Sequence, residues 1–103
     1  MRVTIKTTNL KLTPEIKKAI EEKIGTLDKF VSHIGTPIEA FVEVAVETSH
    51  HKQGKIYYAE ANIKVPGKII RSEAREENIY KAINTVKDEL QRLLREYKKR
   101  KIN

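Results

Sequence analysis

The last quarter of the chain constrains the fold most, because it has the pattern of one long helix with a single apolar side. Its apolar residues recur at intervals of three and four, namely Ile79, Ala82, Ile83, Val86, Leu90, Leu93, Leu94 and Tyr97. Asn78 is placed to cap the helix, and we expect the helix to run to about Lys99. Such a helix needs an apolar surface against which its stripe can be buried.

A β-sheet with one apolar face supplies that surface. Apolar and polar residues alternate over 2–7, 38–48 and 55–65, and a shorter strand is predicted over 69–75. A polar turn over 49–54 joins the middle two strands, and Pro66 and Gly67 join the last two. Because short turns connect antiparallel neighbours, we expect the last three strands to form a meander.

A second amphipathic helix follows the first strand. Thr13 and Pro14 are typical of a helix start, and we expect this helix to run past Gly25 to about Ser32. The predicted order is therefore β-α-β-β-β-α. In 103 residues this order predicts a single α+β domain of two layers, with two helices packed on one face of a four-stranded sheet.

The positive charge of the chain is concentrated at the end of the last helix. Lysine and arginine number 21 against 14 acidic residues, a net charge of +7. After Leu90 the only acid is Glu96, and the cations are Arg92, Arg95, Lys98, Lys99, Arg100 and Lys101. Helical periodicity places Arg92, Arg95 and Lys99 on one face that Lys81 begins, and Lys87 and Lys98 flank it. We call these six residues the cationic ridge: Lys81, Lys87, Arg92, Arg95, Lys98 and Lys99.

A cationic ridge along a helix is suited to the phosphates of a nucleic-acid backbone. The alternative is a solvated helix end whose cations offset the helix dipole, but that needs only one or two of them. The first helix has no net charge, although Lys23 extends the ridge if the helices lie side by side.

The outer face of the sheet offers a different kind of surface. Phe41, Tyr58 and Ile69 are predicted to form a small apolar patch, either for a protein or base contact or as ordinary cross-strand packing. Glu39, Glu43 and Glu47 lie in a row on this face, where they are expected to repel nucleic acid. If RNA binds, it is therefore expected on the helix side.

Catalytic and metal-binding patterns are missing from the sequence. The chain has no cysteine, which excludes disulfides, thiol catalysis and cysteine-based zinc sites. His33, His50 and His51 lack the spacing of metal ligands, and no phosphate-binding loop or catalytic motif occurs. We expect no cofactor, no metal, no small-molecule substrate and no enzymatic activity. No apolar run approaches the roughly 20 residues of a membrane span, and no secretory signal is visible, so a cytoplasmic protein is expected.

Two sequence blocks resemble one known family. The first runs from Asn9 to Pro14 after the opening strand, and the second from Glu77 to Asn84, followed by Leu90, Arg92 and Leu94. Together with the element order, they are similar to the ribosome hibernation-promoting factors and ribosome-associated inhibitors (protein Y), also known as sigma-factor modulation proteins. The resemblance covers essentially the whole chain.

The resemblance implies a double-stranded-RNA-binding-like fold and a partner, the small ribosomal subunit with its ribosomal RNA. It implies binding in the channel for messenger and transfer RNA, inhibition of translation under stress or in stationary phase, and a monomer off the ribosome. Family contacts carried over to this sequence are Lys17, Lys23, Lys29, Arg92 and Lys98. The chain then corresponds, over 1–103, to a short form or to the N-terminal domain of a long form.

Some positions depart from the family pattern. Thr26, Glu89 and Glu96 stand where relatives usually carry lysine, and Lys87, Arg95, Lys99 and Arg100 are neighbouring cations that compensate. Two other functions stay open at this point: a general double-stranded-RNA binder and a protein-interaction module.

Overall fold

A computed structural model describes residues 1–48 and 54–102, with the side chains of 1–47 and 54–100. The α+β fold and its element order are as predicted. The strands are β1 (Arg2–Thr8), β2 (Glu39–Thr48), β3 (Lys55–Val65) and β4 (Lys68–Glu76), and the helices are α1 (Pro14–Gly25), a 3-10 helix (Thr26–Phe30) and α2 (Ile79–Ile102). Of the predicted turn over 49–54, residues 49–53, which include His50 and His51, lie outside the described residues.

The four strands form one sheet in chain order. β1 pairs parallel with β2, and β2, β3 and β4 form the predicted antiparallel meander. Pro66 and Gly67 are the two central residues of the β3–β4 turn, and Gly67 has a φ of 79°, as the third residue of a type II turn requires.

Both helices bury their stripes on the same face of the sheet. α1 contributes Ile16, Ile20 and Ile24 to the core, and α2 contributes its whole predicted stripe, with Leu93 partly buried. Alanines on the inner face of the sheet, such as Ala59 and Ala61, are small enough for the helices to lie close above the strands. Helix starts follow the prediction, since the side chain of Thr13 accepts from the Ile16 amide and that of Asn78 from the Tyr80 amide.

The first helix differs from its prediction. It ends at Gly25 rather than near Ser32, and the chain continues as a 3-10 helix. Gly25 and the β-branched Thr26 are weak helix formers, and the Thr26 hydroxyl donates to the Lys23 carbonyl at 2.7 Å. The tighter 3-10 turn still buries Leu27 and leaves Phe30 partly exposed beside α2.

The other differences between the structure and the prediction concern the ends of β4 and α2 and the burial of two residues of β2. Each end of β4 lies one residue beyond its prediction, and α2 continues to Ile102. Val46, predicted on the inner face, is only partly buried, whereas Ala45 on the outer face is buried beside its cross-strand partner Tyr58.

Candidate nucleic-acid interface

The cationic ridge lies on the side of α2 that faces away from the sheet. Leu90, Leu94 and Tyr97 point into the core, and the cations Lys81, Arg92, Arg95 and Lys99 are exposed. Lys87 and Lys98 are partly buried on the flank of this face, as the helical spacing predicts.

Three members of the ridge are neutralised by acidic neighbours. Arg92 donates to Glu96 at 2.8 Å and also to Glu89, so this cation lies between two carboxylates. Hydrogen bonding from Arg92 lowers the pKa of the Glu89 carboxyl below its ordinary value. The Nζ of Lys87 lies 3.4 Å from Asp88, and that of Lys81 lies 3.8 Å from Glu76. The ridge is thus less positive along its first four turns than its lysines and arginines alone suggest.

Phe30 joins the two helical segments on this side of the domain. The Nζ of Lys29 lies 5.4 Å from the centre of the Phe30 ring, and the guanidinium carbon of Arg95 lies 5.5 Å from the same centre. Both are cation–π contacts, and they keep the two cationic centres within about 11 Å of each other. Residues 66 positions apart in sequence thereby form a pair suited to neighbouring phosphates.

The remaining sequence-predicted residues of α1 are not brought together. Lys17 and Lys23 are six positions apart, which places them about 120° apart around the helix, on opposite sides of the buried isoleucines. Only one of these two lysines can therefore face α2. Among the described side chains, neither has a carboxylate within 4 Å.

The last turns of α2 carry cations without acidic partners. Within the described side chains, no carboxylate lies within 4 Å of the nitrogens of Lys98, Lys99 or Arg100, and the side chain of Lys101 lies outside them. The Tyr97 hydroxyl donates to the Pro66 carbonyl at 2.9 Å, so this part of α2 lies against the β3–β4 turn.

The outer face of the sheet is electrically balanced rather than acidic. Arg71 pairs with Glu60 and Glu73, and Arg75 donates to Glu47 at 2.8 Å. The Tyr58 hydroxyl donates to Glu73 at 2.8 Å. Repulsion of nucleic acid by unpaired glutamates, as expected from the sequence, is therefore weaker than predicted on this face.

The predicted apolar patch on that face does not form. Phe41 is paired in register with Asn62, Tyr58 with Ala45, and Ile69 with Lys64, so the three side chains lie in different cross-strand rows. Phe41 and Ile69 are exposed singly, at 47% and 58%, and the Arg75 guanidinium covers the Tyr58 ring at 4.7 Å from its centre. Alternation assigns residues to a face, but the strand register that separates these three is set by pairing.

Neither a metal-ligand cluster nor a membrane-spanning helix occurs in the described part of the chain. Residues 1–48 and 54–102 contain no group of three or more histidine, cysteine or acidic side chains placed to hold a metal ion. In the same ranges, neither helix has the combination of length and apolar character that crossing a bilayer demands.

Known proteins that are similar to this chain belong to the family that its two sequence blocks resemble. The family model described as "Sigma 54 modulation protein / S30EA ribosomal protein" matches residues 3–102. The chain belongs to this family. Relatives of the S30EA family include the ribosome hibernation promotion factor of Bacillus subtilis, 31% identical over 95% of this chain, and that of Staphylococcus aureus, 32% identical over 97%. The chain spans about half the length of these relatives, 49% and 50%.

Solved structures share the S30EA family fold at lower identity. The protein Y N-terminal domain of Thermus thermophilus superposes with a TM-score of 0.76 at 23% identity, covering 94% of this chain and 99% of that one. A ribosomal subunit interface protein from Coxiella burnetii superposes with a TM-score of 0.73 at 19% identity, covering 95% and 98%. These likenesses confirm the fold of the chain.

The structure adds one member to the candidate site that sequence analysis did not single out. Phe30 lies within the range predicted for the first helix, and in the structure its ring contacts cations of two elements. An aromatic residue directly after Lys29 was the available signal, but its proximity to Arg95 depends on how α1 and α2 pack.

Proposed function

We propose that residues 1–103 are a ribosome-binding domain that occupies the messenger and transfer-RNA channel of the small subunit and inhibits translation under stress or in stationary phase. Membership of the S30EA family supports this proposal, as do relatives that carry the name ribosome hibernation promotion factor. The activity takes place in the cytoplasm, where ribosomes are.

The observation that carries the proposal is the convergence of Lys29 and Arg95 on Phe30, next to the unpaired cations at the end of α2. These side chains come from different elements and share one exposed side of the domain. On the outer face of the sheet, by contrast, the arginines are already paired with glutamates. A phosphate backbone therefore gains more from Lys29, Arg95 and the last turns of α2, where no ion pair among the described side chains has to be broken first.

The mechanism is steric and involves no covalent step. The domain lays its helix side on ribosomal RNA, and its volume then excludes messenger and transfer RNA from the same channel. Affinity comes mainly from phosphate contacts. Binding therefore weakens steeply with added salt, because cations of the salt compete with the protein's lysines and arginines for the phosphates.

Co-sedimentation with purified small subunits at low and high salt tests the proposal. We expect binding at low salt and release at high salt, and a chain that does not sediment at low salt would refute the proposal. Reversal of the charges next to Phe30, in the double variant Lys29→Glu with Arg95→Glu, is expected to abolish binding. The matched control is Lys11→Glu with Lys55→Glu. It changes the net charge by the same amount, at two exposed lysines outside the cationic ridge.

A general double-stranded-RNA binder would use the same cationic side. Competition separates the two functions, because a ribosome-specific domain is displaced from small subunits only by a large excess of free duplex RNA. Comparable affinity for both would favour the general binder.

A further inference from the structure

The ends of several helices and strands lie together at one end of the domain. α2 returns along the sheet from the end of β4, and the bond from the Tyr97 hydroxyl to the Pro66 carbonyl ties its last turns to the β3–β4 turn. The start of β1 lies at this same end, since the Arg2 amide donates to the Ile38 carbonyl at 2.9 Å just before β2 begins. We call the region around the β3–β4 turn and the last turns of α2 the turn end.

A cavity at the turn end has cations on two of its sides. It measures about 320 Å³ and is lined by Pro66, Gly67, Lys68, Tyr97 and Arg100. Lys68 and Arg100 are exposed, and within the described side chains no carboxylate lies within 4 Å of either. Two cations from elements distant in sequence therefore line one concave surface whose remaining walls are a tyrosine and the backbone of a turn.

The charge around this cavity exceeds what the fold needs. The negative end of the α2 dipole favours one or two nearby cations. Lys98, Lys99 and Arg100 already exceed that number, and Lys68 and Lys64 add charge from the sheet. Nearby acids are few: Glu39 lines a neighbouring cavity with Lys64, and Glu96 is bonded to Arg92. Because these cations outnumber those that the helix dipole favours, the turn end carries an excess of positive charge that attracts an anion.

We propose that Lys68 and Arg100 form a phosphate-binding site for RNA, so that the interface continues from the helix side around the end of α2 to the β3–β4 turn. This inference rests on the proposed function, which involves RNA, but assigns a site outside the cationic ridge. Arg100 contributes a planar group that pairs with two phosphate oxygens, and Lys68 contributes a point charge on the opposite strand end.

The site is tested first without ribosomes. Isotope-labelled protein is titrated at low salt with a short oligouridylate, and in a second arm with inorganic phosphate at the same phosphate concentration. We expect the amide signals of Gly67, Lys68 and Arg100 to shift with RNA at concentrations where inorganic phosphate leaves them unchanged. Unmoved signals with RNA overturn the site, and equal shifts in both arms overturn its assignment to RNA.

The second test measures small-subunit binding of the double variant Lys68→Glu with Arg100→Glu. We expect affinity to fall about tenfold or more, and the slope of log affinity against log salt to become shallower by about two, one for each lost phosphate contact. The control is again Lys11→Glu with Lys55→Glu. Lys55 lies at the other end of β3, roughly 33 Å from the turn, and Lys11 lies between β1 and α1.

The outcomes of the two tests separate the two proposals. Oligouridylate shifts at the turn end without sedimentation of the wild type refute the ribosomal function and leave the phosphate site standing. If the Lys68/Arg100 variant and the Lys11/Lys55 control lose small-subunit binding equally, the site is overturned. The change in net charge then explains the loss.

Discussion

Arg92 has two possible roles in the cationic ridge, and a pair of variants distinguishes them. It resembles a family RNA contact by its position, yet it is held between Glu89 and Glu96. The three side chains together carry a net charge of −1. We expect Arg92 to act by neutralising these two acids rather than by touching RNA, because a phosphate contact would require it to leave both carboxylates.

The perturbations are Arg92→Gln and the triple variant Glu89→Gln, Arg92→Gln, Glu96→Gln. The first changes the charge of the group from −1 to −2, and the second changes it to zero. Glutamine has the shape of glutamate and a helix propensity close to those of glutamate and arginine, and all three side chains are substantially exposed, so the fold is preserved.

The expected magnitude follows from charge alone. One unit charge about 10 Å from a phosphate in water alters affinity roughly twofold. If Arg92 only neutralises, the single variant binds small subunits about twofold more weakly and the triple variant about twofold more tightly than wild type. The slope of log affinity against log salt then remains that of the wild type.

Equilibrium binding to small subunits over a series of salt concentrations measures both quantities. A direct phosphate contact by Arg92 predicts the reverse for the triple variant, namely about tenfold weaker binding and a slope shallower by about one. That result would refute the neutralising role and return Arg92 to the set of RNA contacts.

Two further predictions concern the fold. Leu94→Ala removes a fully buried side chain between α2 and the sheet, and we expect it to lower the unfolding free energy measured in urea by about 2–5 kcal/mol. The control Leu93→Ala, at the partly exposed neighbouring position, should cost far less. A loss below about 1 kcal/mol for Leu94→Ala would show that the helix packs differently. Burial, followed by the hydrogen bond to Glu73, raises the pKa of Tyr58 above its ordinary value near 10, so its stabilising contribution is present below pH 10 and is lost as the pH rises through the folded-state pKa. In a tyrosinate absorbance titration, Tyr58→Phe should remove absorbance only well above pH 10, and a loss of absorbance near pH 10 would contradict the raised pKa of Tyr58.

Much of the fold followed from periodicity in the sequence. The three-and-four spacing from Ile79 to Tyr97 predicted α2, and alternation predicted the inner face of β3 from Tyr57 to Val65. These patterns are reliable because each residue's burial is dictated by the local geometry of its own helix or strand. The end of the first helix was less predictable, since Gly25 and Thr26 favour a change to 3-10 geometry that tertiary contacts complete.

The candidate interface was predictable as a set of residue types but not as an arrangement. Helical spacing identified Arg92, Arg95 and Lys99 as one face. It did not reveal that Glu89 and Glu96 bond to Arg92, because side chains three or four residues apart on a helix are free to choose among several neighbours.

The sequence by itself determined the element order, the buried faces, the excess of cations near the end of the last helix and the family. Only the tertiary structure decided which cations lie on the same surface. Phe30 contacts Arg95 because the two helices lie on the same face of the sheet, and Lys68 and Arg100 line one cavity because α2 returns to the β3–β4 turn. Both pairs are more than 30 positions apart in sequence, and such proximity is set by packing and strand order rather than by any local pattern.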